Sequence, residues 1–239
     1  KGETVAEIAG AAAAMRKHMT ILESSRDDLV DTCGTGGDGS GTFNISTAAA
    51  LVAAGSGIAV AKHGNRSITS KTGSADVLSE LGVNIEASVD VMQQSLEEAG
   101  ICFCFAPLFH PAMRHVGPVR RSIEVPTIFN LLGPLTNPCS AGRQLLGVWD
   151  DVYVEPMAEA LLSGGTMFSA VVHSLDGLDE ISISAPTRIL YIKGGVITEE
   201  LIDPESLGLC LWGRDEVTAT TLDMAVEFIQ ESIVLGGRG

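Results

Sequence analysis

Basic residues are scarce in this sequence. Its 239 residues hold 15 Lys and Arg against 30 Asp and Glu, a formal net charge of −15. Such acidity argues against nucleic acid or an anionic membrane as the main partner, and confines any anion site to a local cluster of basic side chains. No apolar run reaches the length of a membrane span, and no signal-peptide pattern is visible. The five cysteines, Cys33, Cys102, Cys104, Cys139 and Cys210, are odd in number and form no CxxC pair. The expectation is a reduced, cytoplasmic protein without structural zinc. Cys102 and Cys104 fall in a strand-like run and read as small buried hydrophobes rather than ligands. Gly-Lys-Ser/Thr is missing, which excludes the Walker phosphate loop. No Ser-His-Asp or Cys-His arrangement suggests a covalent nucleophile, and no internal repeat or low-complexity segment occurs.

Apolar residues make up 45% of the chain, with a mean hydropathy of +0.27, enough for a substantial core. The most distinctive stretch runs from Asp31 to Thr47 and contains Gly34, Gly36, Gly37, Gly39 and Gly41. It lies between an apolar pair, Leu29-Val30, and an alanine-rich run from Ala48 to Ala54, an order that predicts strand, glycine loop, helix. Glycine loops allow positive φ and close backbone approach, and their successive N–H groups form anion-binding nests. Asn44, Ser46 and Thr47 mark the helix entrance, where free N–H groups also favour phosphate. Gly34-x-Gly36-x-x-Gly39 matches the dinucleotide fingerprint in letters. Thr42-Phe43-Asn44 then intervenes before the helix, and a basic rather than acidic loop follows the next strand.

Hydrophobic periodicity and punctuation give the rest of the order. Thr4-x-x-Glu7 is a capping box opening a helix with Val5, Ile8, Ala12, Met15 and Met19 at helical spacing, and little of the chain is evident to bury its apolar face. A strand is expected over 58–61, a basic loop over 62–73, helices over 76–81 and after Ser88, and a strand over 101–105. The proline-rich segment 107–138 reads as short helices packing on the opening helix. Strands over 144–148 and 167–173, a helix over 155–162, a hairpin over 189–198 and a helix over 221–235 complete the pattern. The fold class expected is α/β: a mostly parallel sheet with helices on both faces, its ligands gathered beyond the carboxyl ends of the strands.

Several side chains suit chemistry there. Asp179-Glu180, after the strand ending at His173, is either a solvated acidic turn or a magnesium site, since magnesium favours carboxylates and shared phosphate oxygens. Lys62 suits a phosphate as a point charge. His63 and His110 are candidate bases or packing residues. Arg120 or Arg121 suits a carboxylate.

Asp31-x-x-GTGGDG-x-GT-x-N-x-ST, KHGNRS over 62–67, LLGPLTNP over 131–138 and DGLDE over 176–180, in this order, resemble the anthranilate phosphoribosyltransferases of tryptophan biosynthesis. The resemblance implies transfer of phosphoribosyl from 5-phosphoribosyl 1-diphosphate (PRPP) to the amine of anthranilate. It places PRPP on Gly34, Gly36, Gly37, Asp38, Thr42, Asn44, Ser46, Thr47, Lys62, Asn65, Arg66, Ser67 and Ser70. It places anthranilate on Gly34, His63, Asn65, His110, Arg120 and Pro134, and two magnesium ions on Ser46, Asp179 and Glu180. It further implies a small helical domain from residues 1–25 and 107–138, an α/β domain from 26–106 and 139–239, and a homodimer through the helical domain. Relatives continue at both ends, so a clipped chain is expected. Ser174 and Pro126 stand where relatives often carry glycine and arginine. A pyrimidine-nucleoside phosphorylase or a non-catalytic binding relative of the same fold is the alternative. The first should lack KHGNRS and DGLDE, and the second should show a lost metal pair.

Overall fold

The computed structural model describes residues 2–66, 72–123 and 125–234. In chain order they form α1 (Val5–His18), β1 (Val30–Asp31), α2 (Ile45–Gly55), β2 (Val60–Gly64), α3 (Ser74–Glu80), α4 (Val89–Glu98), β3 (Ile101–Phe105), α5 (Ala106–Phe109), α6 (Met113–Ile123) and α7 (Phe129–Leu132). They continue with β4 (Arg143–Gly147), α8 (Val154–Ser163), β5 (Phe168–Ser174), β6 (Thr187–Lys193), β7 (Val196–Ile202) and α9 (Leu222–Val234). Short 3-10 turns join several of these.

The strands make one seven-stranded sheet in the order β3-β2-β1-β4-β5-β6-β7. Neighbours from β3 to β5 run parallel, and β6 and β7 add antiparallel. Every residue of β2 is buried, because helical layers and neighbouring strands cover it on all sides. The edge strand β7 is mostly exposed and carries Glu199 and Glu200, which discourage pairing with another chain.

The helices start where capping chemistry permits. Thr4 and Glu7 complete the capping box of α1, with Arg16, Lys17 and His18 in its last turn opposing the helix dipole. The Ser88 hydroxyl accepts from the Val91 amide to open α4. Among the described residues no helix is long and apolar enough to cross a membrane.

Four sequence expectations need correction. β2 extends to Gly64, so Lys62 and His63 lie on a strand rather than in a loop. Parallel pairing with Phe103 and Cys104 of β3 outweighs their polarity. α3 starts at Ser74, two residues before the expected aspartate, because Asp76 reaches back to the Gly73 amide. β6 and β7 are each seven residues long, since their register continues through Thr187↔Ile202. The apolar face of α1 does find partners in this chain. Ile8 and Ala12 are fully buried with Met157 and Leu161 of α8 and with Leu131 and Leu132 of α7, in the core that also holds Leu146 and Val171 of the sheet. Burying them contributes roughly 1.5–3 kcal/mol for a side chain the size of Ile8.

Candidate active site at the carboxyl ends of the parallel strands

β1 sits between β2 and β4, which is where the strand order reverses. The crevice beyond the carboxyl ends of the strands at such a reversal is the usual ligand site of an open α/β sheet. The glycine loop fills it. Gly36 and Gly37 have φ of 62° and 90°, values that a side chain would strain. The loop leads into α2 through Asn44, whose side chain does not cap the helix but donates to the Thr72 carbonyl at 3.1 Å. Among the described residues, Asp38 Oδ2, Asn44 Oδ1 and Thr47 Oγ1 are buried without a hydrogen-bond partner. Orphaned buried polar atoms are costly, and a polar ligand would satisfy these three.

The DGLDE loop closes over the glycine loop from the other side of β4. Gly147 at the end of β4 lets it approach: a Cβ there would fall on the Asp179 carbonyl oxygen. Asp179 Oδ2 accepts from the Gly36 amide at 2.8 Å. Asp179 is pushed up to about 7, first by burial and then by the charge of Asp38. Glu180 is pushed up to about 8, again by burial first and then by Asp179, while Lys62 and the Ser46 amide oppose the shift. Both residues keep some solvent contact. Carboxyl groups gathered this closely repel one another unless a cation joins them. Lys62 Nζ reaches across from β2 and donates to Thr32 Oγ1 at 3.1 Å and Ser46 Oγ at 3.2 Å. The structure therefore brings Ser46, Lys62, Asp179 and Glu180 to one locality. The hard oxygen donors, the orphaned Asp38 oxygen and the mutual repulsion fit a magnesium ion.

Asp31 ties the surrounding loops together, a role that sequence reasoning did not assign. Its Oδ1 accepts from the amides of Cys33 and His63, each at 3.1 Å, and its Oδ2 accepts from Asn137 Nδ2 at 2.8 Å. Asn137 Nδ2 also donates to the Ala61 carbonyl at 2.7 Å, and Asn137 Oδ1 accepts from the Cys139 amide at 2.8 Å. One carboxylate thus sets the relative positions of the glycine loop, β2 and LLGPLTNP. An aspartate at the strand end immediately before the glycine loop was the available signal.

On the acceptor side, His63 Nδ1 lies 3.0 Å from the Gly133 carbonyl, so it must carry the proton and donate. His63 Nε2 is then bare and accepts from His110 Nε2, 3.1 Å away. Burial pushes His63 down to about 3 and lowers His110 as well. Both rings are neutral, and the His63 lone pair is already in use. Pro134, the residue after Gly133, is buried and gives its carbonyl to Gln144 Nε2 at 2.7 Å. Arg120 of α6 lies over the Phe129 ring, 5.5 Å to the centroid, and points Nη2 at Asn130 Oδ1 at 3.5 Å.

The other expected residues have contacts of their own. Arg66 pairs with Asp76 at 2.7 Å and lies over Phe105. Asn65 Oδ1 accepts from the Arg66 amide, and Thr42 bonds to Ser40. Gly34 packs against Gly147 O and Asp179 Oδ2, where a Cβ would sit 3.2 and 3.3 Å from those atoms. Ser67 and Ser70 lie outside the described residues, as does the Arg121 side chain.

The glycosyl transferase family a/b domain matches residues 26–238. The anthranilate phosphoribosyltransferase of Symbiobacterium thermophilum is 50% identical over 239 residues, all of this chain and 70% of that protein. That of Desulfatibacillum aliphaticivorans is 54% identical over 209 residues, 87% of this chain and 62% of that protein. The crystal structure of anthranilate phosphoribosyltransferase from Thermus thermophilus superposes with a TM-score of 0.92 at 43% identity, covering 100% of this chain and 70% of that one. The Saccharomyces cerevisiae enzyme in complex with PRPP and Mg gives a TM-score of 0.89 at 30% identity, covering 98% of this chain and 64% of that one. This chain therefore spans from 62% to 70% of the length of these relatives. It belongs to the anthranilate phosphoribosyltransferase family of glycosyl transferases.

Proposed function

We propose that this chain carries the reaction centre for magnesium-dependent transfer of phosphoribosyl from PRPP to the amine of anthranilate, giving N-(5-phosphoribosyl)anthranilate and diphosphate. The observation that carries this reading is the convergence of Ser46, Lys62, Asp179 and Glu180 on a glycine loop at the strand-order reversal. Ser46, Asp179 and Glu180 would hold two magnesium ions, and the ions would neutralise charge on the departing diphosphate. The glycine-loop amides and the first turn of α2 bind the diphosphate oxygens. Lys62 adds a fixed positive charge between Ser46 and Thr32. His63, His110 and Pro134 line the acceptor, and Arg120 takes its carboxylate. The anthranilate nitrogen is itself the nucleophile, so the C–N bond forms as the C–O bond to diphosphate breaks and no side chain becomes covalently attached. Positioning and charge stabilisation then supply the rate enhancement. We also propose that α1 and α5–α7 contribute to a small helical domain through which two copies associate.

Anthranilate fluorescence, followed with PRPP and magnesium, tests the reading. A fall in fluorescence that requires both PRPP and magnesium is expected. PRPP binding by calorimetry without any loss of anthranilate would refute transfer to that acceptor, and absence of PRPP binding would refute the site itself.

A further inference from the structure

A second group of chemically active side chains lies behind the site. Cys102 and Cys104 share one face of β3, and Cys139 approaches them from the loop before β4. The Cys102 and Cys104 sulfurs are 3.9 Å apart, and those of Cys104 and Cys139 are 3.6 Å apart. All three lie within 4.8 Å of one another; Cys102 and Cys104 are buried and Cys139 is partly buried. Leu22, Met92, Leu96 and Phe109 pack in the same cluster and exclude water. Cys139 alone of the three keeps some exposure, which provides an entry path.

We propose that Cys102, Cys104 and Cys139 form a trigonal site for a soft thiophilic cation of the Cu(I) type. Three thiolates at about 2.3 Å from a cation in their plane would stand about 4.0 Å from one another. Two sides of the sulfur triangle, 3.9 and 3.6 Å, are already close to that length, and the third is within 4.8 Å. Thiolate donors select Cu(I), whereas the oxygen donors of Ser46, Asp179 and Glu180 select magnesium, so the two sites do not compete. Uptake of one Cu(I) by the three thiols releases three protons to solvent and leaves a charge of −2 on the cluster. Thiol hydrogen bonds from Cys104 and Cys139 hold the Cys102 pKa down, and hydrogen bonding to Cys102 pushes the Cys104 and Cys139 thiols up, so the cation has to displace those two protons. The site communicates with the reaction centre, because the Cys139 amide donates to Asn137 Oδ1 and Asn137 holds Asp31. In the sequence the third ligand stands 35 residues from the second, which hides the triad.

The test uses this chain with Cys210→Ser, which removes the exposed thiol. Cu(I) is supplied under ascorbate in competition with a chromogenic Cu(I) chelator. Expected are one Cu(I) retained per chain, three sulfur neighbours at about 2.3 Å by X-ray absorption, and a raised Tm. Cys104→Ala and Cys139→Ala should each weaken retention by more than the roughly 10–100-fold typical of losing an outer-shell partner. Equal retention in both variants, or none in the parent, overturns the proposal. If Cys104→Ala does not fold by circular dichroism, Cys139→Ala decides the matter, since its side chain lies on a loop.

Discussion

The Gly36 amide donates to Asp179 Oδ2 at 2.8 Å across 143 residues of sequence. The bond shows that the glycine loop accepts an anionic oxygen. It also shows that the acidic loop is already seated on the loop it must serve. The crowding that results gives the site its measurable properties.

Asp179→Asn and Glu180→Gln each replace an acid that burial and neighbouring carboxylates make costly to ionise in the metal-free fold. The metal-free fold should become more stable, with Tm rising by about 2–4 °C for about 1 kcal/mol. Activity should fall by several kcal/mol of transition-state stabilisation, because a metal ligand is gone. Differential scanning calorimetry and steady-state rates check both effects. Unchanged turnover in either variant at saturating magnesium would remove that carboxylate from the metal site.

Magnesium affinity should depend on pH over the interval set by these two groups. Asp179 and Glu180 titrate at about 7 and about 8 in the metal-free fold. Both values are raised above those of the unfolded chain, so the metal-free protein loses stability as pH rises from about 4 to about 8. Magnesium needs the ionised forms. Binding should weaken as pH falls from about 8 to about 6 and should release protons. Calorimetry in two buffers of different ionisation enthalpy measures that release, and identical heats would contradict it.

Asp31→Asn should fail to conserve structure despite its small size change. The new amide would face Asn137 Nδ2, donor against donor. Asn137 cannot turn over, because its Nδ2 serves the Ala61 carbonyl and its Oδ1 serves the Cys139 amide. The expected loss is about 1–3 kcal/mol of stability, together with weaker PRPP binding. A variant with parental Tm and parental affinity would show that the brace is dispensable.

Arg120→Ala should raise the anthranilate KM, with PRPP binding little changed. A lost charge-assisted hydrogen bond is worth roughly 1.5–3 kcal/mol. Arg120→Lys should not restore it, since an ammonium cannot reproduce the planar contact over Phe129. A larger effect from Arg121→Ala would move the carboxylate contact to the neighbouring arginine.

By itself the sequence determined the order of strands and helices, the glycine loop and the acidic pair, because these depend on local rules. Periodicity sets the elements, glycine sets the loop and the Thr4 box sets a helix start. The four spaced motifs also determined the family. Only the tertiary structure decided that Lys62 and His63 belong to β2, because strand pairing with β3 is a non-local interaction that no residue announces. It also decided that Asp31 is a hub rather than a motif letter, since its partners Cys33, His63 and Asn137 come from three separate stretches. Gly147 gained its meaning in the same way, from the Asp179 carbonyl lying where its side chain would be. Local chemistry is written residue by residue, but close approach between distant segments is fixed only when the sheet brings them together.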